Sequence, residues 1–414
     1  MVVFRPFKAV RPANQELARK IASFPYDVIN SDEAREIAKG NEYSFLHIVK
    51  PEIDLDPSVD LYDEKVYATA KANFERFRKN KWLIQDDIPH FYVYRQIMDD
   101  RSQYGLVGCI SGDDYWTDKI KKHELTRKSK EADRIKHVDT VNANAGPVFL
   151  FYNRDEIVTK IIENTTQKPP LYDFTSSDGI RHTVWQIENK FNLEISEAFA
   201  KIPFIYVADG HHRTASGAIV AKRRKEANPH HTGEEEYNFF LAVLFPGDEL
   251  KILDYNRVVK DLRGLSSQEF LEKVSEKFEI TEEFTDRKPS RKRTFGMYLD
   301  GKWYLLTVKK GTYDPQDPIK SLDISILMDN LLSPILGIGD PRTDKRIDFI
   351  GGIRGMDELE RRVNSGEMRL AFSVYPTTIE ELMKVADASL QMPPKSTWFE
   401  PKLRSGLLIH VYDE

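Results

Sequence analysis

Phe204-Ile205-Tyr206-Val207-Ala208-Asp209-Gly210-His211-His212-Arg213-Thr214 is the stretch on which the fold and the site both turn. An apolar run with β-branched and aromatic residues reads as a strand, and it ends at Asp-Gly, a turn signal. Ala215 to Ala221 then read as a helix. A strand entering a helix through glycine aims unpaired backbone N–H groups and the positive end of the helix dipole at one point. Such a point holds an anion, above all a phosphate. Gly210 lets a ligand approach the backbone, Arg213 offers a bidentate fork, and His211 and His212 add donors that titrate near neutrality. Thr214 completes the expected phosphate-binding set of Gly210, His211, His212, Arg213 and Thr214. Adjacent basic residues in a first helical turn oppose the dipole, which points to a bound anion rather than an ordinary turn.

Strand signals lie on both sides of this element. His90–Ile97, Tyr104–Ile110 and Pro147–Tyr152 precede it, and the wholly apolar run from Phe239 reads as a buried central strand. Leu61, Val66, Ala70, Phe74 and Phe77 recur at helical spacing, and Asn30 with Glu33 forms a capping-box signal. From about residue 262 come a helix, strands at 293–299 and 302–308, helices near Asp323 and Asp357, and strand signals at 368–375 and 407–412. Strand and helix do not alternate regularly. The expected class is α+β, a mixed-sheet core over residues 1–260 that carries the candidate site, followed by an α/β domain over 261–414.

Composition limits the function. The 414 residues hold 61 Lys+Arg against 66 Asp+Glu, a formal charge of -5, which gives no bulk attraction to DNA or anionic lipid. No apolar run approaches the length of a membrane span, and the first dozen residues lack a signal-peptide pattern, so the expected location is cytoplasmic. The single cysteine, Cys109, excludes a disulfide within the chain and reads as a small buried hydrophobe. Histidines do not gather at zinc spacing, and neither a Walker loop nor a G-x-G-x-x-G follows a strand.

Two further segments carry candidate chemistry. His123-Glu124-Leu125-Thr126 through Asp133-Arg134 to Asn142 and Asn144 packs acids, bases and amides into 22 residues before an abruptly apolar strand. Glu124 reads as a general base or Mg²⁺ ligand and Arg134 as a phosphate partner; a solvated helix face is the plainer alternative. Phe24-Pro25-Tyr26-Asp27-Val28 sets Asp27 among apolar neighbours ahead of a helix, where a cap is equally expected. Asn41 and Ser44-Phe45-Leu46-His47 follow. In the C-terminal half, Phe349-Ile350-Gly351-Gly352-Ile353-Arg354-Gly355 reads as a weak glycine-rich anion loop. Pro393 to Lys402 reads as a rigid, polar-aromatic stretch that closes over a site or buttresses the two domains.

Taken together, Phe24–Val28, Ser44–His47, His123–Thr126, Asp209–Arg213, Phe349–Gly352 and Met392–Phe399 resemble a large uncharacterised bacterial and archaeal family labelled ParB-like. The Asp-Gly-His-His-Arg element is similar to the phosphate-binding signature of the ParB/sulfiredoxin superfamily, one branch of which phosphorylates free L-serine. His211 stands where sulfiredoxins carry their catalytic cysteine, and no helix-turn-helix for DNA is evident. The resemblance implies a nucleotide-dependent kinase making O-phosphoserine, with ATP or ADP as donor and Mg²⁺ as cofactor. Glu124, Asp27 and Asp209 are its candidate catalytic carboxylates, Asp209 doubling as metal ligand. Arg134 joins the phosphate set, and His123, Asn144 and His47 are candidate substrate residues. The alternative is a ParB-like nucleotide-binding regulator without turnover. The expected partners are a nucleotide and an amino acid, with no DNA and no membrane, and a homo-oligomer is compatible.

Overall fold

Residues Arg101–Ser111 form the longest strand, and the first part of the protein is organised around it. The computed structural model describes residues 1–413, which divide into two compact units: Met1–Leu250 together with the segment from Pro401 onward, and Lys251–Glu400.

In chain order the first unit supplies β1 (Phe4–Arg5), β2 (Val10–Pro12), β3 (Leu83–Gln85), β4 (Tyr92–Met98), β5 (Arg101–Ser111), β6 (Ile120–Lys121), β7 (Ala143–Asn144), β8 (Val148–Tyr152), β9 (Tyr172–Thr175), β10 (Arg181–Gln186), β11 (Ile205–Asp209) and β12 (Phe239–Pro246). Its helices are α1 (Gln15–Ile21), α2 (Ser31–Ala38), α3 (Leu46–Val49), α4 (Glu64–Lys79), α5 (Gly112–Trp116), α6 (Lys128–Val141), α7 (Glu156–Thr166), α8 (Asn192–Lys201) and α9 (His211–Ala227). The main sheet runs β6-β11-β8-β12-β5-β4-β10-β9. β1 pairs with Cys109 and Ile110 of β5, beyond the reach of β4, whose register ends at Val107. The sheet is mixed: β12 is parallel to β8 and antiparallel to β5, and β11 is antiparallel to β8 with a bulge between Val207 and Asp209.

Every residue of β12 is buried, as its unbroken apolar run requires of a strand covered on both faces. On one face Phe240, Ala242 and Leu244 join Val148, Leu150, Val207 and Phe4 against Val158, Ile161, Ile195 and Phe199 of the helices. Burial of each large side chain here contributes roughly 1.5–3 kcal/mol. Gly217 lets α9 lie flush on this sheet, since a Cβ there would come within 2.8 Å of Phe240. That contact fixes where the first turn of α9 points. A second core, with Phe45, Leu46, Phe74 and Phe77, holds α2–α4 together, and α2 carries the capping box between Asn30 and Glu33.

The second unit supplies β13 (Ile252–Leu253), β14 (Tyr255–Val259), β15 (Phe278–Glu282), β16 (Thr294–Leu299), β17 (Lys302–Val308), β18 (Ile347–Gly351), β19 (Leu370–Val374) and β20 (Trp398–Phe399), with α10 (Ser267–Ser275), α11 (Asp323–Leu327), α12 (Gly355–Asn364) and α13 (Ile379–Asp387). Its six-stranded sheet, β15-β17-β16-β19-β14-β18, is antiparallel at every ladder. The protein is therefore mixed α+β, with a mixed-sheet core in its first unit.

Two boundaries differ from the sequence expectation. β14 pairs with β18 and β19, so the break falls near residue 250 rather than 260. The strand signal at 407–412 does not close the second unit either. β21 (His410–Val411) pairs with β7, and Ile409 and Val411 pack into the Phe45–Phe77 core, so the chain ends in the first unit. In the glycine-rich stretch Asp254 lies against Gly352, where a Cβ would meet its Oδ1 at 2.5 Å, and Lys288 pairs with that carboxylate.

Candidate functional site

β11 ends at Asp209, Gly210 turns the chain with φ +88°, and α9 begins at His211. Glycine is needed at that angle because a side chain in the left-handed region is strained. Gly210 brings no side-chain cap, and the helix ladder starts only at Thr214 N–H to Gly210 O, 2.9 Å. The amides of the first turn point out of the helix end, as the strand–glycine–helix sequence requires.

Arg213 folds back over this end. Its guanidinium passes the Gly210 Cα, donates from Nη1 to the Pro147 carbonyl at 2.5 Å, and sets Nη2 3.5 Å from Asp27 and 3.6 Å from Asp209. It is not the open fork that the sequence suggests, because both terminal nitrogens already face oxygens of the first unit. Its Nε is buried without a hydrogen-bond partner among the described residues. Asp209 also lies 3.5 Å from Lys402 Nζ. Burial works to raise the Asp209 carboxyl's pKa, but Lys402, Arg213 and His211 together hold it below its ordinary value.

The two histidines are not the protonated donors expected of them. Burial pushes His211 down to about 4 despite the pull of Asp209. His212 is lowered too, first by burial, and its Nε2 accepts the Arg127 backbone N–H at 3.0 Å, which requires that nitrogen to be bare. Both rings are neutral at pH 7. Glu124 is half-exposed, with Oε2 3.7 Å from His211 Nδ1. His123 is fully buried and edge-on to His211, ring centres 4.5 Å apart, so it buttresses that ring. Thr214 is also fully buried and turns its hydroxyl to the Gly210 carbonyl at 3.0 Å, away from any ligand at the helix end.

Beside Arg213 a small pocket is walled by Pro25, Tyr26, Arg134, His137, Asn144 and Ser405, among others, with Arg213 itself in the wall. α6 presents Arg134, which lies 4.0 Å over the Tyr26 ring and 2.7 Å from Asp133, itself bonded by the Tyr67 hydroxyl. The helix that could have been a solvated face thus buries Asp133, Arg134 and His137, because each finds a polar partner. Of the three expected substrate residues, Asn144 alone lines the pocket. Its Oδ1 accepts from the Leu241 amide and the Tyr412 hydroxyl, 3.2 Å each, which fixes the β7–β21 corner. His47 sits in α3 between Asp54 (2.7 Å) and the Asn41 carbonyl (3.1 Å), outside the pocket wall. Both its partners only accept, so the ring carries both protons, in keeping with a raised pKa owed first to Asp54.

Among the described residues no group of three or more His, Cys, Asp or Glu could enclose a metal ion. Two carboxylates, Asp27 and Asp209, face Arg213 Nη2 at 3.5 and 3.6 Å. Cys109 is buried with its thiol pKa pushed up, first by burial, which leaves it no nucleophilic role. No helix among the described residues is long and apolar enough to cross a membrane.

Sequence reading singled out the stretch that ends at Lys402 as one that closes over a site, and Lys402 does reach Asp209; it passed over Ser405, which lines the pocket.

The family described as "Protein of unknown function (DUF1015)" matches residues 4–325. Among solved structures, "Free serine kinase in complex with AMP" aligns at a TM-score of 0.36 with 15% identity, over 72% of this chain and 90% of that one. A conserved hypothetical protein from Pyrococcus furiosus aligns at 0.34 with 14% identity, over 72% and 93%. SbnI with C-terminal truncation from Staphylococcus aureus aligns at 0.32 with 10% identity, over 73% and 87%. Likeness this distant has no bearing on the site's chemistry. No curated protein matches the chain.

Proposed function

We propose, from the premise that the chain belongs to the DUF1015 family, that it is a nucleotide-dependent small-molecule kinase whose acceptor is free L-serine. The observation that carries this reading is the double position of Arg213, which belongs to the first turn of α9 and to the wall of the adjacent pocket. Phosphoryl transfer asks mainly for positioning and charge neutralisation, and that adjacency supports both. The donor's phosphates, ATP's or ADP's, would lie on the amides after Gly210, with serine in the pocket against Arg134 and Asn144. Magnesium held by Asp209 would neutralise charge on those phosphates. The serine Oγ attacks the terminal phosphorus, the bond from that phosphorus to the leaving nucleotide oxygen breaks, and the hydroxyl proton passes to a carboxylate.

Asp27 follows Pro25 and Tyr26, both in the pocket wall, and its Oδ2 is 3.5 Å from Arg213. That adjacency to the pocket wall supports Asp27 as the base; Glu124, the other candidate, has Oε2 3.7 Å from His211 Nδ1. The test compares Asp27→Asn and Glu124→Gln with the wild type, reading nucleotide affinity and O-phosphoserine formation separately. Asp27→Asn should bind nucleotide normally yet turn over about 100-fold or more slowly, with Glu124→Gln much less affected. The reverse ranking would return the base to Glu124. Nucleotide binding without turnover in the wild type would leave a ParB-like regulator as the better description.

A further inference from the structure

The turn that carries Asp27 hangs from the last segment of the chain. Ser23 and Ser405 exchange backbone hydrogen bonds of 3.1 and 2.9 Å, and Ser405 is itself part of the pocket wall. Next to this bridge the Arg404 guanidinium lies 3.8 Å over the Phe24 ring. Beyond Phe24 come Pro25 and Tyr26, both in the wall, and then Asp27; the Val28 N–H closes the turn on the Pro25 carbonyl at 3.4 Å. Asn30 grips the chain again as the N-cap of α2. Arg404 is buried and firmly held. Its guanidinium pairs with Asp178 and donates to Ser176 Oγ at 3.2 Å and to His182 Nε2 at 3.4 Å, and its backbone N–H donates to the Tyr94 hydroxyl at 3.3 Å. Burial pushes His182 down to about 3, so the ring is neutral; Nε2 accepts from Arg404, and Nδ1 keeps its proton for Tyr94, 2.7 Å away. The stack on Phe24 offsets part of the cost of burying Nη1, which has no hydrogen-bond partner among the described residues. Arg404 and these four partners lie outside the pocket wall, so what Arg404 does for the site passes through Phe24.

We propose that Arg404 is a positioning residue for phosphoryl transfer: stacked on Phe24, it sets the turn of Pro25, Tyr26 and Asp27 and so the place of the Asp27 carboxylate beside Arg213 and the acceptor hydroxyl. The proposal rests on the reading of Asp27 as base. That carboxylate depends on its turn, because its Oδ2 stands a long 3.5 Å from Arg213 Nη2 and its side chain is 32% exposed. A proton acceptor must lie within hydrogen-bond reach of the hydroxyl, and a displacement of about 1 Å can cost 100-fold in rate. Arginine suits this role better than lysine, since a flat guanidinium can bind a carboxylate at its edge and a ring on its face at the same time.

The test reads O-phosphoserine formation and nucleotide affinity of the full chain in Phe24→Leu, Phe24→Tyr and Arg404→Lys, with and without Asp27→Asn, once thermal unfolding has verified that each is folded. Phe24→Leu and Arg404→Lys should each lower kcat about tenfold with nucleotide affinity unchanged. Phe24→Tyr, which keeps a ring against the guanidinium, should stay near the wild-type rate. In the Asp27→Asn background Phe24→Leu should cost nothing further, because a residue that acts through Asp27 has nothing left to position. A merely structural role would lower the rate by the same factor in both backgrounds. Should Arg404→Lys misfold, the comparison of Phe24→Leu, Phe24→Tyr and the Asp27→Asn double variant decides alone. A folded Phe24→Leu with wild-type kcat, or an equal loss in both backgrounds, overturns the assignment of Arg404 and leaves Asp27 as base. A wild-type rate in Asp27→Asn itself overturns the base reading, and no O-phosphoserine from the wild type overturns the kinase reading; this proposal falls with either.

Discussion

Substituting Gly210 by alanine separates backbone strain from damage to the site. At φ +88° an L-residue costs about 1–2 kcal/mol, which for a unit of this size lowers Tm by roughly 2–4 °C per kcal/mol. The new methyl would also meet the Arg213 Cζ and Nε at 3.1 Å and Nη2 at 3.2 Å, so the guanidinium must give by a few tenths of an ångström. It has little room to do so, with Nη1 on the Pro147 carbonyl and Nη2 between Asp27 and Asp209. Gly40 supplies the control: it has φ +75° and nothing within 4 Å of a built Cβ, so Gly40→Ala carries the same strain without a clash. Thermal unfolding and nucleotide titration of both variants give the comparison. Gly210→Ala should unfold below Gly40→Ala and lose about tenfold in nucleotide affinity, with Gly40→Ala binding as the wild type does. Equal unfolding temperatures with unchanged binding in both variants would refute the idea that the Gly210 turn and Arg213 form the anion site.

Three other outcomes can be measured independently. His47 has a raised pKa, so its contribution to stability is complete below the ordinary value of 6.5 and fades as pH rises through the raised one. His47→Gln should therefore destabilise more at mildly acidic than at mildly alkaline pH, and a pH-independent loss in denaturant titrations would contradict the doubly protonated ring. His137 and His211 are both pushed down to about 4, first by burial. Between pH 6.5 and 4 the unfolded chain takes up protons that these folded rings refuse, so wild-type stability should fall by about 1.4 kcal/mol per pH unit per histidine, less in His137→Phe. A flat acid limb would count against neutral rings. Asn144→Ala leaves the Leu241 amide and the Tyr412 hydroxyl without their shared acceptor and should cost roughly 1–3 kcal/mol in chemical denaturation. A negligible loss would show that water replaces the asparagine there.

The element at 204–221 was legible because three local signals agree: an apolar strand, an Asp-Gly turn and a helix whose first turn is basic. The central placement of β12 was legible for a similar reason, since an unbroken apolar run tolerates water on neither face. What sequence reading lost was partnership across distance. Arg213 reads as a solvent-facing fork until Pro147, Asp27 and Asp209 arrive around it from elsewhere in the first unit. A solvated face was the plainer alternative for the segment of Asp133, Arg134 and His137 because periodicity counts apolar residues, whereas these are buried through Tyr67, Tyr26 and the Ile48 carbonyl. The strand signal at 407–412 was correct as a local statement, yet nothing local says that its partner is β7, more than 260 residues earlier.

The most direct measurement is incubation of the full chain with Mg²⁺, L-serine and either ATP or ADP, with products read by mass spectrometry. O-phosphoserine should form in step with loss of one phosphate from the nucleotide, and about 100-fold or more slowly with the Asp27→Asn protein. Nucleotide left intact and serine unmodified, under conditions where the folded protein binds the nucleotide, would contradict the kinase reading.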